Sequence, residues 1–318
     1  MSSSGHIAAT PIAIVGNVNL DIKTSVLPAT PALFADGETS AAEIYESLGG
    51  GGANTAVAAA QLGGRVHFCG CVGEDALGQR LEQALEQFGV IAHLRRKAAA
   101  TGRSIALTWD NHHRHFVSSL ANNRALTAAD VDVAALARAG CRSLYRADVW
   151  FAEAMLAGGN AALLQQARAL AMETSLDINW DPEWSGGGNA EHVRHRKAQV
   201  AAVLPDVSWV HGNERELALF TGKEPVLDAC SSLVDQGCGG VIVHRGAKGA
   251  AAFAAKTGWL EVPAAPVATI VCETGPGDAF TAAFLLLDGL PLDERLRECA
   301  RIAAAHLQGT PNLIPRLA

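Results

Sequence analysis

The chain has 318 residues, 49% of them hydrophobic and 18% charged, with a formal net charge of -7 at neutral pH. That is too apolar and too weakly charged for disorder and long enough for one large α/β domain with a sizeable core, while the acidic balance argues against a nucleic-acid partner. No apolar stretch reaches the roughly 18 residues of a membrane span, and MSSSGHIAATP lacks the charged and apolar regions of a secretory signal, so a cytoplasmic protein without a membrane partner is expected.

Ile12–Val15 is a short apolar run ending at Gly16, which predicts a buried strand opening into a loop. In the GNVNLD that follows, an extended chain puts Asn19 and Asp21 on one side. Further strands are expected at Val66–Cys69, Val149–Phe151, Ser175–Ile178, Val207–Val210 and Val241–His244. Helical patterns lie between most of them, at Asn54–Leu62, Leu77–Phe88, Ala128–Ala139, Ala161–Met172 and Val193–Leu204. Alternation of this kind predicts a mostly parallel sheet covered on both faces, with its ligand beyond the carboxyl ends of the strands. Residues 20–48 and 103–118 break the rhythm, the latter as two strands around a polar Asp-Asn turn. Both are expected to form a small antiparallel lid over the site, on a single α/β domain spanning 1–318.

Three stretches carry chemistry. In CETGPGDAFT at 272–281, Gly275 as helix N-cap places Pro276 at the first helical position, where its missing N–H has no intrahelical partner to lose. The amides of Gly277 and Asp278 then face outward at a helix start, which holds phosphate oxygens; an ordinary cap and a catalytic carboxylate at Asp278 are both compatible with this segment alone. The helix start is expected to lower the pKa of Asp278. LGGGGANTAVAAAQLG at 48–63 sets four glycines before a helix, as a tight packed turn or as backbone approaching a ligand, with Asn54 able to serve a polyol. HGNERELALFTG at 211–222 places Asn213 and Glu216 within one turn, as a capping pair or as support for Mg2+. Neither a GxGxxG after a strand nor a P-loop is present. The seven cysteines fit reduced thiols, with Cys69 and Cys71 on one buried strand face, and the His112–His115 cluster reads as a polar hairpin tip.

Taken together and in this order, the motifs resemble the ribokinase-like (PfkB) carbohydrate kinases from residue 12 to about 315. GGGGANTAVAAAQLGG followed by GCVGEDALG is similar to the family's N-terminal signature, and ETGPGDAF at 273–280 to its C-terminal one. Asn213 to Glu216 and VIVHRGAKGAAAF at 241–253 are similar to its N-x-x-E element and nucleotide-binding loop. The resemblance implies a ribokinase-like three-layer sandwich and ATP-dependent phosphorylation of a hydroxymethyl group on a sugar or nucleoside. It implies Asp278 as base, with Gly275, Gly277 and the Asp278 amide as anion hole. Asn19, Asp21, Gly50, Gly51, Asn54 and Glu153 match substrate-binding positions. Asn213, Glu216, Arg245, Gly246 and Gly249 match positions for ATP, with Mg2+ at Glu216 through water. A homodimer through the lid is a further family expectation.

Pro276 replaces a small residue of that anion hole, and Glu273 stands where Asp is usual, the position on which a monovalent-cation site turns. Gly51 stands where ribokinase proper carries Lys. DINWDPEW at 177–184 is similar to an element of fructokinase-like and ketodeoxygluconate kinases, with Asp181 near their usual Arg. Arg103 and Arg114 in the lid read either as solvated edge charges or as contacts to a sugar-acid carboxylate. Nucleosides favour aromatic partners, for which Phe34, Trp109 and Phe116 are candidates. A sugar-binding pseudokinase acting as a sensor is the non-enzyme alternative.

Overall fold

The computed structural model describes residues 10–30, 35–110, 113–184, 189–272 and 274–317; Phe34, His112 and Glu273 lie outside them. In chain order the elements are β1 (Ile12–Val15), β2 (Asn19–Thr24), β3 (Ile44–Gly49), α1 (Gly51–Gln61), β4 (Val66–Gly73), α2 (Ala76–Gln87), β5 (Ile91–Lys97), β6 (Arg103–Thr108) and β7 (Arg114–Ser119). There follow α3 (Ala121–Arg124), α4 (Val133–Arg138), β8 (Ser143–Arg146), α5 (Asn160–Ala169), β9 (Glu173–Asp177), α6 (Ala190–Ala201), β10 (Trp209–Asn213), α7 (Glu214–Thr221) and α8 (Val226–Asp235). The chain closes with β11 (Gly240–His244), β12 (Ala250–Ala254), β13 (Gly258–Val262), α9 (Pro276–Leu286) and α10 (Leu292–Leu307).

Nine strands form one sheet in the order β13-β12-β11-β10-β9-β8-β1-β4-β5. From β5 to β11 neighbouring strands are parallel, and β12 and β13 add an antiparallel edge. Period-two alternation splits β1 between two cores: Ile12 and Ile14 join the cluster under α1, α2, α9 and α10, and Ala13 and Val15 the cluster under α4, α5, α7 and α8. The direction of strand succession reverses at β1, which places a ligand crevice at the carboxyl ends of β1, β4 and β8. The fold is the ribokinase-like α/β sandwich.

Beside this sheet lies a smaller one in the order β3-β2-β6-β7. Its hairpin pairs β2·β3 and β6·β7 are antiparallel and are joined by a parallel β2·β6 contact. The register puts Asn19, Asp21, Lys23, Ser104, Ala106, Phe116 and Arg114 on one face and Leu20, Ile22, Arg103, Ile105 and Val117 on the other.

One expected strand is misplaced. Val149–Phe151 lies after β8, whose span is Ser143–Arg146. The apolar signal at 149–151 comes from Trp150, which is 1% exposed, donates its indole N–H to the Ile178 and Asn179 carbonyls and packs its ring on Trp184 and Phe220. Likewise the helix expected over Ala128–Ala139 is split into a single turn at Ala128–Asp130 and α4, because the Asp132 carboxylate caps the latter at Ala135 N–H. Cys69 and Cys71 share the buried face of β4, where burial pushes both thiols up to about 12. Among the described residues no helix is long and apolar enough to cross a membrane.

Phe284 of α9 is fully buried, 5.1 Å from the His211 ring and 5.6 Å from the Trp209 ring between centroids, with the Arg295 guanidinium 3.5 Å above it. Phe284→Ala is expected to cost about 3–5 kcal/mol in urea unfolding, through lost contacts and the cavity left behind.

Candidate active site

Asp148 stands two residues beyond β8, 4% exposed. Its carboxylate accepts the N–H groups of Asn17 (2.8 Å), Gly52 (2.8 Å) and Gly51 (3.2 Å), and the side-chain amide of Asn179 (3.3 Å). The backbone there has φ 54°, costly for a residue with a Cβ, and these donors hold it in place. Burial pushes the carboxyl up, against the pull of the N–H groups and of Arg146.

The glycine run lets α1 close onto this group. Gly50 has φ 93°, and a Cβ on it would lie 2.3 Å from the Asn17 carbonyl oxygen. At Gly51 a Cβ would come within 2.9 Å of the Asp148 carboxylate, so the approach is to another site residue as well as to a ligand. From β2, Asn19 donates its side-chain amide to Asp21 at 2.7 Å, and both are buried. Burial pushes Asp21 up to about 6, opposed by Lys23.

At α9 the local sequence folds as its motif predicts. Gly275 is the N-cap with φ 81°, where a Cβ would strike the Ile314 side chain at 2.2 Å, and Pro276 is the first helical residue. Ala279 N–H bonds back to the Gly275 carbonyl at 2.8 Å, while the N–H groups of Gly277 and Asp278 have no acceptor among the described residues. The Asp278 carboxylate accepts the Thr55 hydroxyl at 3.4 Å and is held also by Asn54, whose own Oδ1 is buried without a protein partner. The expected lowering of its pKa is overturned: the group is pushed up to about 7, by burial first and then by the charge of Asp148. A helix start stabilises an anion by about 0.3–1 kcal/mol, less than one pKa unit, which burial beside a second carboxylate exceeds.

Asn213 and Glu216 form a reciprocal capping box at the start of α7, each accepting the other's N–H at 2.9 Å. Burial raises Glu216 and Asp177, and Glu216 raises Asp177 further; Asp177 also takes the Tyr145 hydroxyl at 3.1 Å. Two half-buried carboxylates repelling each other fit the oxygen preference of Mg2+, although no cluster of three ligating side chains exists among the described residues. Between β11 and β12, Gly246 and Gly249 flank a short turn, with the Arg245 guanidinium clamped between Glu214 and Glu261 at 2.8 Å each. His244 borders Gly277, where an added Cβ would sit 3.5 Å from Nδ1.

Glu153 is not brought into this group: its side chain is 70% exposed and paired with Arg196, which also holds Asp181. The carboxylate that does face the glycine turn is Asp148, missed because strand β8 was read too late. The polar Arg146 and Asp148 interrupting an apolar run are the signal that marks the strand's end. Arg103 faces outward, whereas Arg114 reaches Thr274, the residue before the α9 N-cap, at 3.4 Å.

A doubly covered parallel sheet, a lid and a carboxylate at an open helix start define a small-molecule kinase. Residues 10–308 match the family described as pfkB family carbohydrate kinase. The chain is 28% identical to a ribokinase of Arabidopsis thaliana over 94% of its own length and 76% of the relative's. It is 30% identical to the aminoimidazole riboside kinase of Salmonella typhimurium, over 74% and 72%. The structure of Arabidopsis thaliana ribokinase complexed with ribose and ATP is similar with TM-score 0.75 and 23% identity, over 96% of each chain. The chain therefore belongs to the pfkB family of carbohydrate kinases and is an ATP-dependent kinase.

Because Asp278 holds its proton more tightly folded (about 7) than at its ordinary value of 3.8, folding takes up a proton between those pH values. Stability therefore falls as pH rises through that window. Asp278→Asn is expected to raise the melting temperature at about pH 8 by more than at about pH 5; equal shifts at both would show that the carboxylate titrates normally.

Proposed function

We propose that the site transfers the terminal phosphate of ATP to a hydroxymethyl group of a small sugar or sugar derivative, with Asp278 as the base. The observation that carries this is the placing of Asp278 as third residue of α9, its carboxylate beside Asn54 and Thr55 and its own N–H and that of Gly277 without an acceptor among the described residues. Phosphate oxygens are attracted to those N–H groups; the acceptor hydroxyl gives its proton to the carboxylate as its oxygen bonds to the terminal phosphorus and the bond from that phosphorus to the bridging oxygen breaks, releasing ADP. A carboxylate poised near neutrality suits this, since phosphoryl transfer depends on alignment and charge neutralisation more than on strong deprotonation.

Acceptor hydroxyls are held by Asn19, Asp21 and the unpaired Asn54 Oδ1, with Asp148 fixing the Gly50–Gly52 backbone beneath them. Pro276 removes one N–H from the anion hole and leaves two. Glu216 and Asp177 would hold Mg2+ through water, and Gly246 and Gly249 would let backbone approach the nucleotide. Bound Mg2+ supplies neutralisation of phosphate charge. The lid's outer face is proposed as the contact with a second copy, since Ile22, Ile105 and Val117 fall in one cross-strand row, with Ile105 46% and Val117 58% exposed.

ADP release measured against a panel of sugars, sugar acids and nucleosides tests the reaction. Turnover with a sugar or sugar derivative supports it, and saturable binding without ADP would favour a sensor. Asp278→Asn is expected to fold and to turn over at least about a hundredfold more slowly; near-full activity would remove Asp278 from the mechanism.

A further inference from the structure

The inner face of the lid carries charge that a neutral sugar does not use. Lys23 lies on β2 in register with Asn19 and Asp21 and is 5% exposed. Its ammonium is paired with Asp21 at 3.6 Å, a long contact. Asp21 Oδ1 already takes the Asn19 amide at 2.7 Å. An ammonium has three N–H donors, and a single long contact does not occupy them all. A second cation is on the same face: Arg114 repels Lys23, and its guanidinium reaches across to Thr274. Lys23 and Asp278 also attract each other, so the ammonium and the carboxylate share one site.

Two cations on one face of the lid, one of them a buried ammonium, are stabilised by an anion between them. The nucleotide phosphates approach from the α9 N-terminus and the β11–β12 turn, whereas Lys23 belongs to the strand that supplies Asn19 and Asp21. Resting on the kinase reading above, we propose that the acceptor is an anionic sugar derivative. It carries a carboxylate or phosphate remote from its hydroxymethyl group, and Lys23 and Arg114 bind that anion. The site then holds the hydroxymethyl against Asp278 and the anion against the lid.

The test uses the full chain with ATP and Mg2+ and acceptors in matched pairs: ribonate with ribose, gluconate with glucose, and fructose 1-phosphate with fructose. The anionic member of at least one pair is expected to have the larger kcat/KM by roughly 10- to 100-fold, the worth of one or two charge-assisted hydrogen bonds. The carboxylate and phosphate arms separate the two sources of charge. Lys23→Met and the exposed Arg114→Gln are each expected to cut the anionic-to-neutral ratio by about tenfold or more, while Lys23→Arg retains most of it. Arg114→Gln covers the event that Lys23→Met fails to fold. Higher kcat/KM for every neutral member, or a ratio unmoved in Arg114→Gln and the folded Lys23 variant, overturns the proposal while leaving the kinase reading standing. A rise in the KM for ATP alone would assign Lys23 to the nucleotide and overturn it as well. Absence of ADP release with every acceptor would instead remove the kinase reading on which the proposal rests.

Discussion

The site depends on one buried carboxylate saturated with backbone N–H groups. Asp148 joins the end of β8 to the loop after β1 and to the first turn of α1, accepting donors from all three segments. Charge-assisted hydrogen bonds of this kind are about twice as strong as neutral ones, and three of them offset a left-handed backbone at a residue with a Cβ. Removing the carboxylate leaves the Asn17, Gly51 and Gly52 amides buried and unpaired, so its structural and functional roles are inseparable. The same charge acts on Asp278, whose proton it helps to retain.

The site thus concentrates like charge by design of its fold. Asp148, Asp278 and Asp21 converge from β8, α9 and β2, and burial raises all three, Asp278 to about 7 and Asp21 to about 6. Asp177 and Glu216 form a second, half-buried acidic pair. Such an arrangement is stable only with positive charge nearby: Lys23 serves Asp21, and a divalent cation fits the second pair. Proton uptake by Asp278 on folding is therefore set by one balance, burial plus Asp148 against Asn54, Thr55 and Lys23.

Legibility in the sequence followed the physics of each signal. The α9 start was readable because Gly-Pro-Gly-Asp allows few backbone solutions, and the N-cap at Gly275 is the one expected. Strand β1 matches its apolar run at both ends, since a strand buried on both faces shows continuous hydrophobicity. Edge strand β5 was missed because IAHLRRK alternates between exposed and half-buried positions and carries three basic residues. Trp150 produced a false strand, since tertiary burial and β structure leave the same apolar mark over three residues. Asp148 was hidden for the same reason. The pKa of Asp278 was misjudged because a local helix effect is visible in sequence, whereas a carboxylate 130 positions earlier in the chain is not.

The helix-start group and the two lid cations sit on different parts of the molecule. Gly275, Gly277, Asp278 and Asp148 sit at the ends of elements packed into the two cores, and an altered side chain there disturbs either a helix start or a buried N–H cluster. Lys23 and Arg114 sit on lid strands whose opposite face is partly exposed, so their replacement leaves the sheet ends untouched. Arg114 is also the lid's hydrogen bond to Thr274, immediately before the anion hole. That contact ties β7 to the segment that opens α9, so the small sheet and the helix start are linked through a lid side chain.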